Sequence, residues 1–159
     1  MTSQQICEKI RERFGPAIRE AKTEGVPNPF VSVAPENLRD ISLFLRDEAD
    51  LACDSLMCLS GVDSGKGMLG AVYHIASTAH RHTVTLKVQV PAEKAEIPSV
   101  ADIWPAANWH EREAYDLIGI TFTGHPDLRR ILLPDDWPGH PLRKDFKVPE
   151  FYHGMKVPY

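Results

Sequence analysis

Three consecutive apolar runs with a strand-like period constrain the fold of this chain more than any other feature. They occupy residues 56–62, 68–77 and 83–90, and every second residue of the last run is a valine or leucine. The breaks between them, at residues 63–67 and 78–82, are short and turn-rich. Because short turns join neighbouring antiparallel strands, the sequence predicts hairpins with one core-facing side and one solvent-facing side.

Two helical segments are predicted ahead of these runs. Residues 6–18 place an isoleucine or phenylalanine at every fourth position, which is typical of a surface helix packed on a core. Gly15-Pro16 is expected to kink or split this helix. Residues 30–33 alternate like a strand, and Pro35 then opens a second helix with one apolar face.

A third helix is predicted over residues 109–118, after the sheet. Asn108 is a favourable N-cap residue, and Gly119 suits the left-handed conformation that ends many helices. The order helix, strand, helix, three strands, helix indicates an α+β two-layer sandwich, a mostly antiparallel sheet with helices on one face. The chain of 159 residues fits one domain of ordinary size, which we assign to residues 1–120.

Residues 121–159 are predicted to form an extended, proline-rich C-terminal arm and not a separate domain. Five prolines fall between residues 121 and 149, without a sustained hydrophobic period. Loops longer than about 12–15 residues are usually functional or disordered. Several apolar residues, among them Leu142 and Phe146, argue against a disordered linker. We therefore expect the arm to be ordered by docking on partner subunits.

Composition excludes several classes of function. The formal net charge of −4 gives no general attraction to nucleic acid or to an anionic membrane. The three cysteines contain no C-x-x-C pair, so we expect free thiols in a reducing compartment, without a disulfide framework or a zinc or iron–sulfur cradle. Neither a signal peptide nor an apolar run of about 18 residues is present, so we expect membrane contact only through other subunits.

Acidic and basic residues are concentrated between residues 108 and 146. The carboxylates of Glu111, Glu113 and Asp116 could be an acid/base set or metal ligands. The alternative is an ion-pair cluster, which we favour because no nucleophile or phosphate-binding loop accompanies them. We expect a buried ionic network that includes Arg112 and anchors the helix to the arm. Its candidate counter-charges are Arg129, Arg130, Arg143 and Lys144.

A metal-dependent hydrolase is the alternative from a different class. It would use His110, His125, His140 and Glu113. These residues fit no known ligand spacing such as H-E-x-x-H. His125 and His140 each lie between a glycine and a proline, which favours a role in turns.

A set of residues in this region resembles the signature of one family. Its elements are Glu111-Arg112-Glu113, Asp116 followed by two apolar residues, His125, and Arg129 ahead of the apolar run from Ile131. This pattern resembles the thirty-kilodalton subunit of respiratory complex I, the proton-translocating NADH:quinone oxidoreductase. The similarity is specific over residues 104–146 and extends more weakly back to about Ser55.

The resemblance implies a non-catalytic subunit of an electron-transferring translocase. It implies that the flavin, the iron–sulfur clusters and the quinone are bound by partner subunits, with no cofactor or metal on this chain. The expected partners are the forty-nine-kilodalton-like subunit, which holds the quinone site, and neighbouring iron–sulfur subunits, on the cytoplasmic side of the inner membrane. The residues expected to serve assembly are Glu111, Arg112, Glu113, Asp116, His125, Arg129, Arg130, Arg143, Lys144 and Asp145.

Two other interpretations remain open at this point. The same signature occurs in related membrane-bound hydrogenases, in formate hydrogenlyase and in reduced-deazaflavin- or ferredoxin-linked quinone reductases. This subunit alone does not distinguish them from complex I, because electron donor and acceptor bind elsewhere. A free-standing adaptor would instead be a stable monomer with an ordered arm.

Overall fold

The structure is a computed structural model and describes residues 1–157. Its helices and strands follow one another along the chain in the order α1 (Ser3–Phe14), β1 (Ile18–Lys22), β2 (Phe30–Val33), α2 (Leu38–Asp47), β3 (Ser55–Gly65), β4 (Met68–Ala76), β5 (Thr83–Pro91), β6 (Glu96–Pro98), α3 (Ala107–Ile118), β7 (Thr121–Thr123), β8 (Phe151–Tyr152) and β9 (Met155–Lys156).

A five-stranded sheet in the order β1-β2-β5-β4-β3 forms the centre of the fold. Strands β3, β4 and β5 are the two predicted antiparallel hairpins, and β4 pairs with β5 without a break from Met68 opposite Pro91 to Ala76 opposite Thr83. Only β2 and β5 run parallel within this sheet. The prediction of a mostly antiparallel α+β sheet is confirmed.

One face of the sheet carries the hydrophobic core. Alternate residues of β4 and β5 are buried, as their period of two requires, and all three helices contribute residues to the same cluster. The other face is partly exposed, and there the ammonium group of Lys87 lies 3.5 Å from the centre of the Phe30 ring. The helices therefore cover one face of the sheet, as predicted.

The N-terminal helix is shorter than its sequence period suggested. It ends at Phe14, and Gly15–Ala17 form a single 3-10 turn that contains Pro16. Ile18, which we placed on the helix face, instead begins strand β1. The helix ends here because Pro16 lacks the amide proton that an uninterrupted helix needs. The apolar period of four continues to Ile18 only by coincidence.

The ends of α3 gave one wrong and one correct prediction. Asn108 is not the N-cap residue, because it lies inside the helix. The helix begins at Ala107, two residues before the predicted start, with Ala106 at the cap position and no side-chain cap. The preceding turn supplies a hydrogen-bond acceptor for the start of the helix instead, since the Ala107 amide donates to the Trp104 carbonyl at 2.9 Å. Gly119 has φ 82° and ends the helix in the left-handed conformation that was predicted.

The C-terminal segment contains little regular structure. Strand β7 pairs in parallel with β6, and β8 and β9 form a two-residue-per-strand hairpin near the end. Between Gly124 and Glu150 the chain forms only turns and irregular structure. In the part of the chain that the structure describes, no helix has the length and apolarity needed to span a membrane.

Candidate assembly site at helix α3

Helix α3 lies between the sheet and the C-terminal arm. On the sheet side it packs very closely on β3, because a Cβ atom added at Gly61 would lie 2.9 Å from Ala114 Cβ and 3.1 Å from Ile118 Cγ1. A side chain at residue 61 would push the helix away from the sheet. The close packing at Gly61 therefore fixes the position of α3, whose opposite side contacts the arm.

Asp116 is the residue of α3 that organises the arm. Its carboxylate is fully buried and accepts hydrogen bonds from three consecutive backbone amides, at 3.1, 2.8 and 2.9 Å from Ile131, Leu132 and Leu133. The guanidinium group of Arg130 donates to it at 3.2 Å. Burial acts to raise the pKa of Asp116, but the three amides and Arg130 outweigh it and hold the pKa below its usual value of 3.8.

Arg112 binds the arm through its backbone and not through carboxylates. Its guanidinium group lies 5.1 Å from the centre of the Trp109 ring and donates to the carbonyl oxygens of Arg129 and Arg130, at 3.2 and 3.4 Å. Asp116 binds amides one to three residues further on. Donor and acceptor side chains of one helix thus hold both kinds of backbone group in residues 129–133.

The arm returns to cover the C-terminal end of the same helix. His140 donates from Nδ1 to the carbonyl oxygen of Asp116 at 2.9 Å, and Arg143 donates from Nε to that of Ile118 at 2.7 Å. The Leu142 amide donates to the Leu117 carbonyl at 3.0 Å. These carbonyls have no partner within the helix, so the arm supplies the C-terminal cap, partly with basic side chains that the helix dipole favours.

Glu111 does not belong to this network, contrary to our expectation of a link to the arm's basic residues. Its side chain is fully buried on another side of α3, where Oε2 accepts from Ser99 Oγ at 2.5 Å and Oε1 accepts from the Val100 amide at 2.8 Å. Burial raises the pKa of Glu111 from 4.5 to about 7, although these two hydrogen bonds act to lower it.

His125 is the part of the arm nearest to Glu111. Its side chain is fully buried, and Nε2 lies 3.9 Å from Glu111 Oε2. Nδ1 accepts from the Asp127 amide at 3.0 Å, while Nε2 lies 3.1 Å from the Asn108 carbonyl. Because a carbonyl can only accept, Nε2 carries the proton and the ring is neutral in this arrangement.

The charged groups of the other predicted residues do not take part in this network. The Arg129 side chain is exposed and bonds to Asp127, and Lys144 binds the Asp63 carboxylate through its backbone amide. Glu113 and Asp145 have exposed side chains. Glu113 borders a cleft of about 300 Å³ between α3 and β3, which Leu142 of the arm also lines.

Two of the four candidate metal ligands are engaged by the backbone instead. Both ring nitrogens of His125 and Nδ1 of His140 have backbone partners. Among residues 1–157, no group of three or more histidine, cysteine, aspartate or glutamate side chains is arranged to hold a metal ion. The geometry therefore offers no support for a hydrolase built on these histidines and Glu113.

Several residues of the site were missed from the sequence. Ser99 was not given a role beside Glu111, and Trp109 was not given a role beside Arg112. The amides of residues 131–133 were missed because every residue except proline has one, so no sequence pattern marks them.

Comparison with known proteins assigns the chain to a family. The model of the family described as the 30 kDa subunit of respiratory-chain NADH dehydrogenase matches residues 31–152. The chain belongs to this family. The match includes strands β3, β4 and β5, helix α3 and most of the arm, so the resemblance found between residues 104 and 146 is confirmed.

Two curated relatives are named as the C subunit of NADH-quinone oxidoreductase. The protein of Chloroherpeton thalassium is 53% identical over 154 residues, which cover 94% of this chain and 63% of the relative. The protein of Chlorobium phaeobacteroides is 49% identical over 152 residues, which cover 94% of this chain and 92% of the relative. The chain therefore spans less than two thirds of the first relative and most of the second. The prediction of a complex I subunit is confirmed at the level of the family.

Two solved structures share this fold. A trypsin-resistant fragment of Nqo5 is 27% identical with a TM-score of 0.65, and the match covers 77% of this chain and 99% of the fragment. A chain of the membrane-bound sulfane sulfur reductase, an archaeal respiratory membrane complex, is 28% identical with a TM-score of 0.73. That match covers 91% of this chain and 85% of the other.

Proposed function

We propose that this chain is a non-catalytic peripheral-arm subunit of a proton-translocating NADH:quinone oxidoreductase. It holds the quinone-reducing module together, while flavin, iron–sulfur clusters and quinone bind to other subunits. Its family and the names of its relatives support this proposal. The site geometry agrees with it, because the buried polar groups of α3 are used to fix backbone segments and not to surround an open reaction centre.

The observation that carries the proposal is the position of the exposed apolar side chains. Of the eight large ones in the described residues, six lie on α3 or the arm, and each is 58–64% exposed. Exposed apolar side chains concentrated in one part of the chain indicate an interaction surface. These six residues, which we name the apolar rim, are Trp109, Leu132, Leu142, Val148, Phe151 and Met155.

The partners that fit this surface are the quinone-site subunit and the neighbouring iron–sulfur subunits. Charged residues of both signs, such as Asp135 and Lys147, are exposed in the same part of the chain. Exposed apolar side chains accompanied by charged ones are the usual composition of a specific protein interface. Through these partners the chain is held at the cytoplasmic side of the membrane.

The inner contacts of the arm prepare its outer surface for binding. Asp116 and Arg112 fix residues 129–133, and His140 and Arg143 fix the next part of the arm. A surface that is ordered before association loses less conformational entropy when the partner binds. The network inside the arm therefore contributes to assembly without touching the partner.

Replacing Arg112 with alanine tests this role. We expect Arg112→Ala to weaken binding to the quinone-site subunit by about 10- to 100-fold, because loss of hydrogen bonds from a charged group costs about 1.5–3 kcal/mol. Isothermal titration of the purified chain with its partner measures the change. Arg129→Ala removes an arginine of the same charge from an exposed pair and should leave the affinity within about threefold.

Limited proteolysis provides a second measure of docking. Exposed turns after Gly124 should be cut in the isolated chain and protected once the quinone-site subunit is added. Equal affinities for Arg112→Ala and Arg129→Ala would contradict the role of Arg112. An arm that is equally protected with and without the partner would contradict docking and favour the free-standing adaptor.

A second candidate is the equivalent subunit of a related membrane-bound complex. The similarity to a chain of the sulfane sulfur reductase, 28% identical with a TM-score of 0.73, supports it. The two candidates differ in the electron donor. Purification of the assembled complex through this chain, followed by an assay of NADH oxidation, separates them.

A further inference from the structure

The buried carboxyl group of Glu111 has an unusual set of neighbours, because none of its hydrogen bonds comes from a cation. Its two donors, Ser99 Oγ and the Val100 amide, are neutral and belong to one loop. The hydroxyl of Tyr73 from β4 is fully buried and has no hydrogen-bond partner among the described residues. An isolated ionised carboxylate in such surroundings is costly.

The cation that acts on Glu111, Arg39, is already engaged elsewhere. Arg39 of α2 forms a two-bond ion pair with Asp102 at 2.7 Å and also donates to the Ser99 carbonyl. Asp102 adds negative charge near Glu111, which opposes ionisation, whereas Arg39 favours it. The Tyr73 hydroxyl stays neutral, because burial holds the pKa of Tyr73 well above its usual range.

On its remaining side Glu111 faces His125. That ring is neutral as long as its Nδ1 accepts the Asp127 amide, so it does not supply a positive charge without losing this bond. His125 belongs to the first turn of the arm, which we define as residues 124–127. This turn contains no helix or strand. Its backbone is held by one long hydrogen bond, which the His125 amide donates to the Phe122 carbonyl at 3.3 Å.

We propose that Glu111 is a proton-controlled latch, whose protonated carboxyl keeps the first turn of the arm closed over α3. When the carboxyl releases its proton to solvent, its charge must be relieved by water. Water must enter beside His125, since the other sides are sheet core and the 99–100 loop, and its entry opens the first turn.

The direction of the pH effect follows from the raised pKa of Glu111. With a folded value of about 7 and an ordinary value of 4.5, the closed state is favoured fully below about pH 4.5. This contribution declines as the pH rises between the two values. Above about pH 7 the carboxyl is ionised in both the closed and the open form, so a further rise in pH no longer changes the balance between them.

Hydrogen exchange of the full chain between pH 5.5 and 8.5 tests the latch. After correction for intrinsic exchange rates, protection of the amides in the first turn should fall by up to about tenfold per pH unit between pH 5.5 and about pH 7, where one proton is linked to opening, and should level off above pH 7. In Glu111→Gln the neutral amide imitates the protonated acid, so protection should be independent of pH. Glu113→Gln, a change at an exposed position on the same helix, should keep the wild-type pH profile.

A direct titration keeps the test decisive if Glu111→Gln does not fold. Carbon-13 spectra of the wild-type chain should show the Glu111 carboxyl titrating near neutral pH, together with a shift of the His125 ring resonances. A wild-type profile that is flat with pH would overturn the proposal. An equal slope in Glu111→Gln, or a Glu111 carboxyl that titrates near 4.5, would overturn it as well.

Discussion

Replacing Asp116 with alanine is expected to lower the free energy of unfolding by about 3–5 kcal/mol, the range for removing one partner of a buried ion pair. The change leaves the amides of residues 131–133 and the guanidinium group of Arg130 without their acceptor. Because these groups fix the middle of the arm to α3, protease should also cut residues 129–140 faster than in the unchanged chain. Urea unfolding followed by tryptophan fluorescence measures the loss of stability.

The matched control for this change is Asp127→Ala. Asp127 also pairs with an arginine of the arm, Arg129, but both side chains are more than half exposed. Exposed pairs contribute about 0–1 kcal/mol, so the stability should change by less than that. If both variants unfolded at the same urea concentration, Asp116 would not be the organising residue of the arm.

Acid should imitate the loss of the Asp116 carboxylate. The pKa of Asp116 is held below its usual 3.8, so its contribution is present above this value and is lost as the pH falls through the lower folded value. Glu111 acts in the opposite direction, because its folded pKa is raised. The two carboxylates, five residues apart on one helix, therefore respond to pH with opposite signs.

Replacing Gly119 with alanine is expected to cost about 2–4 kcal/mol. Its φ of 82° is unfavourable for any residue with a Cβ, which costs about 1–3 kcal/mol. The added Cβ would also lie 2.5 Å from Cδ2 of His140. That ring can move only by giving up its bond to the Asp116 carbonyl, a loss of about 0.5–1.5 kcal/mol. Thermal and urea unfolding measure the total.

Gly124→Ala separates the two causes. Gly124 has φ 81°, almost the same as Gly119, but an added Cβ meets nothing within 4 Å. The stability of this variant should therefore fall only by the cost of the unfavourable backbone conformation. The difference between the two variants reports the contact with His140, and an equal loss would show that the close packing of arm on helix end adds nothing to stability.

Regular local patterns made most of the fold predictable. The strand period of residues 83–90 depends only on which side chains face the core, and the turn at residues 65–67 depends only on glycine and its φ. Strand β1 was missed because four of its five residues are exposed, so that it lacks a buried period. The start of α3 was misplaced by two residues, since a preceding turn replaced the expected side-chain cap.

The candidate site was predictable as a set of residues but not as a set of contacts. Of the two carboxylates that face apart on α3, Asp116 does bind the arm as expected, whereas Glu111 binds the loop at Ser99. A helix period of 3.6 places side chains five residues apart on different sides. The sequence does not say which of those sides the arm will cover.

The sequence by itself determined the family, the antiparallel sheet, and the presence of an acidic helix followed by a long proline-rich segment. These follow from side-chain identity and spacing, which act locally. Only the tertiary structure decided that the arm folds back on α3, because the partners of Asp116 and Arg112 are backbone groups common to all residues. It also decided that Glu111 is buried without a cation, since burial depends on elements that are distant along the chain.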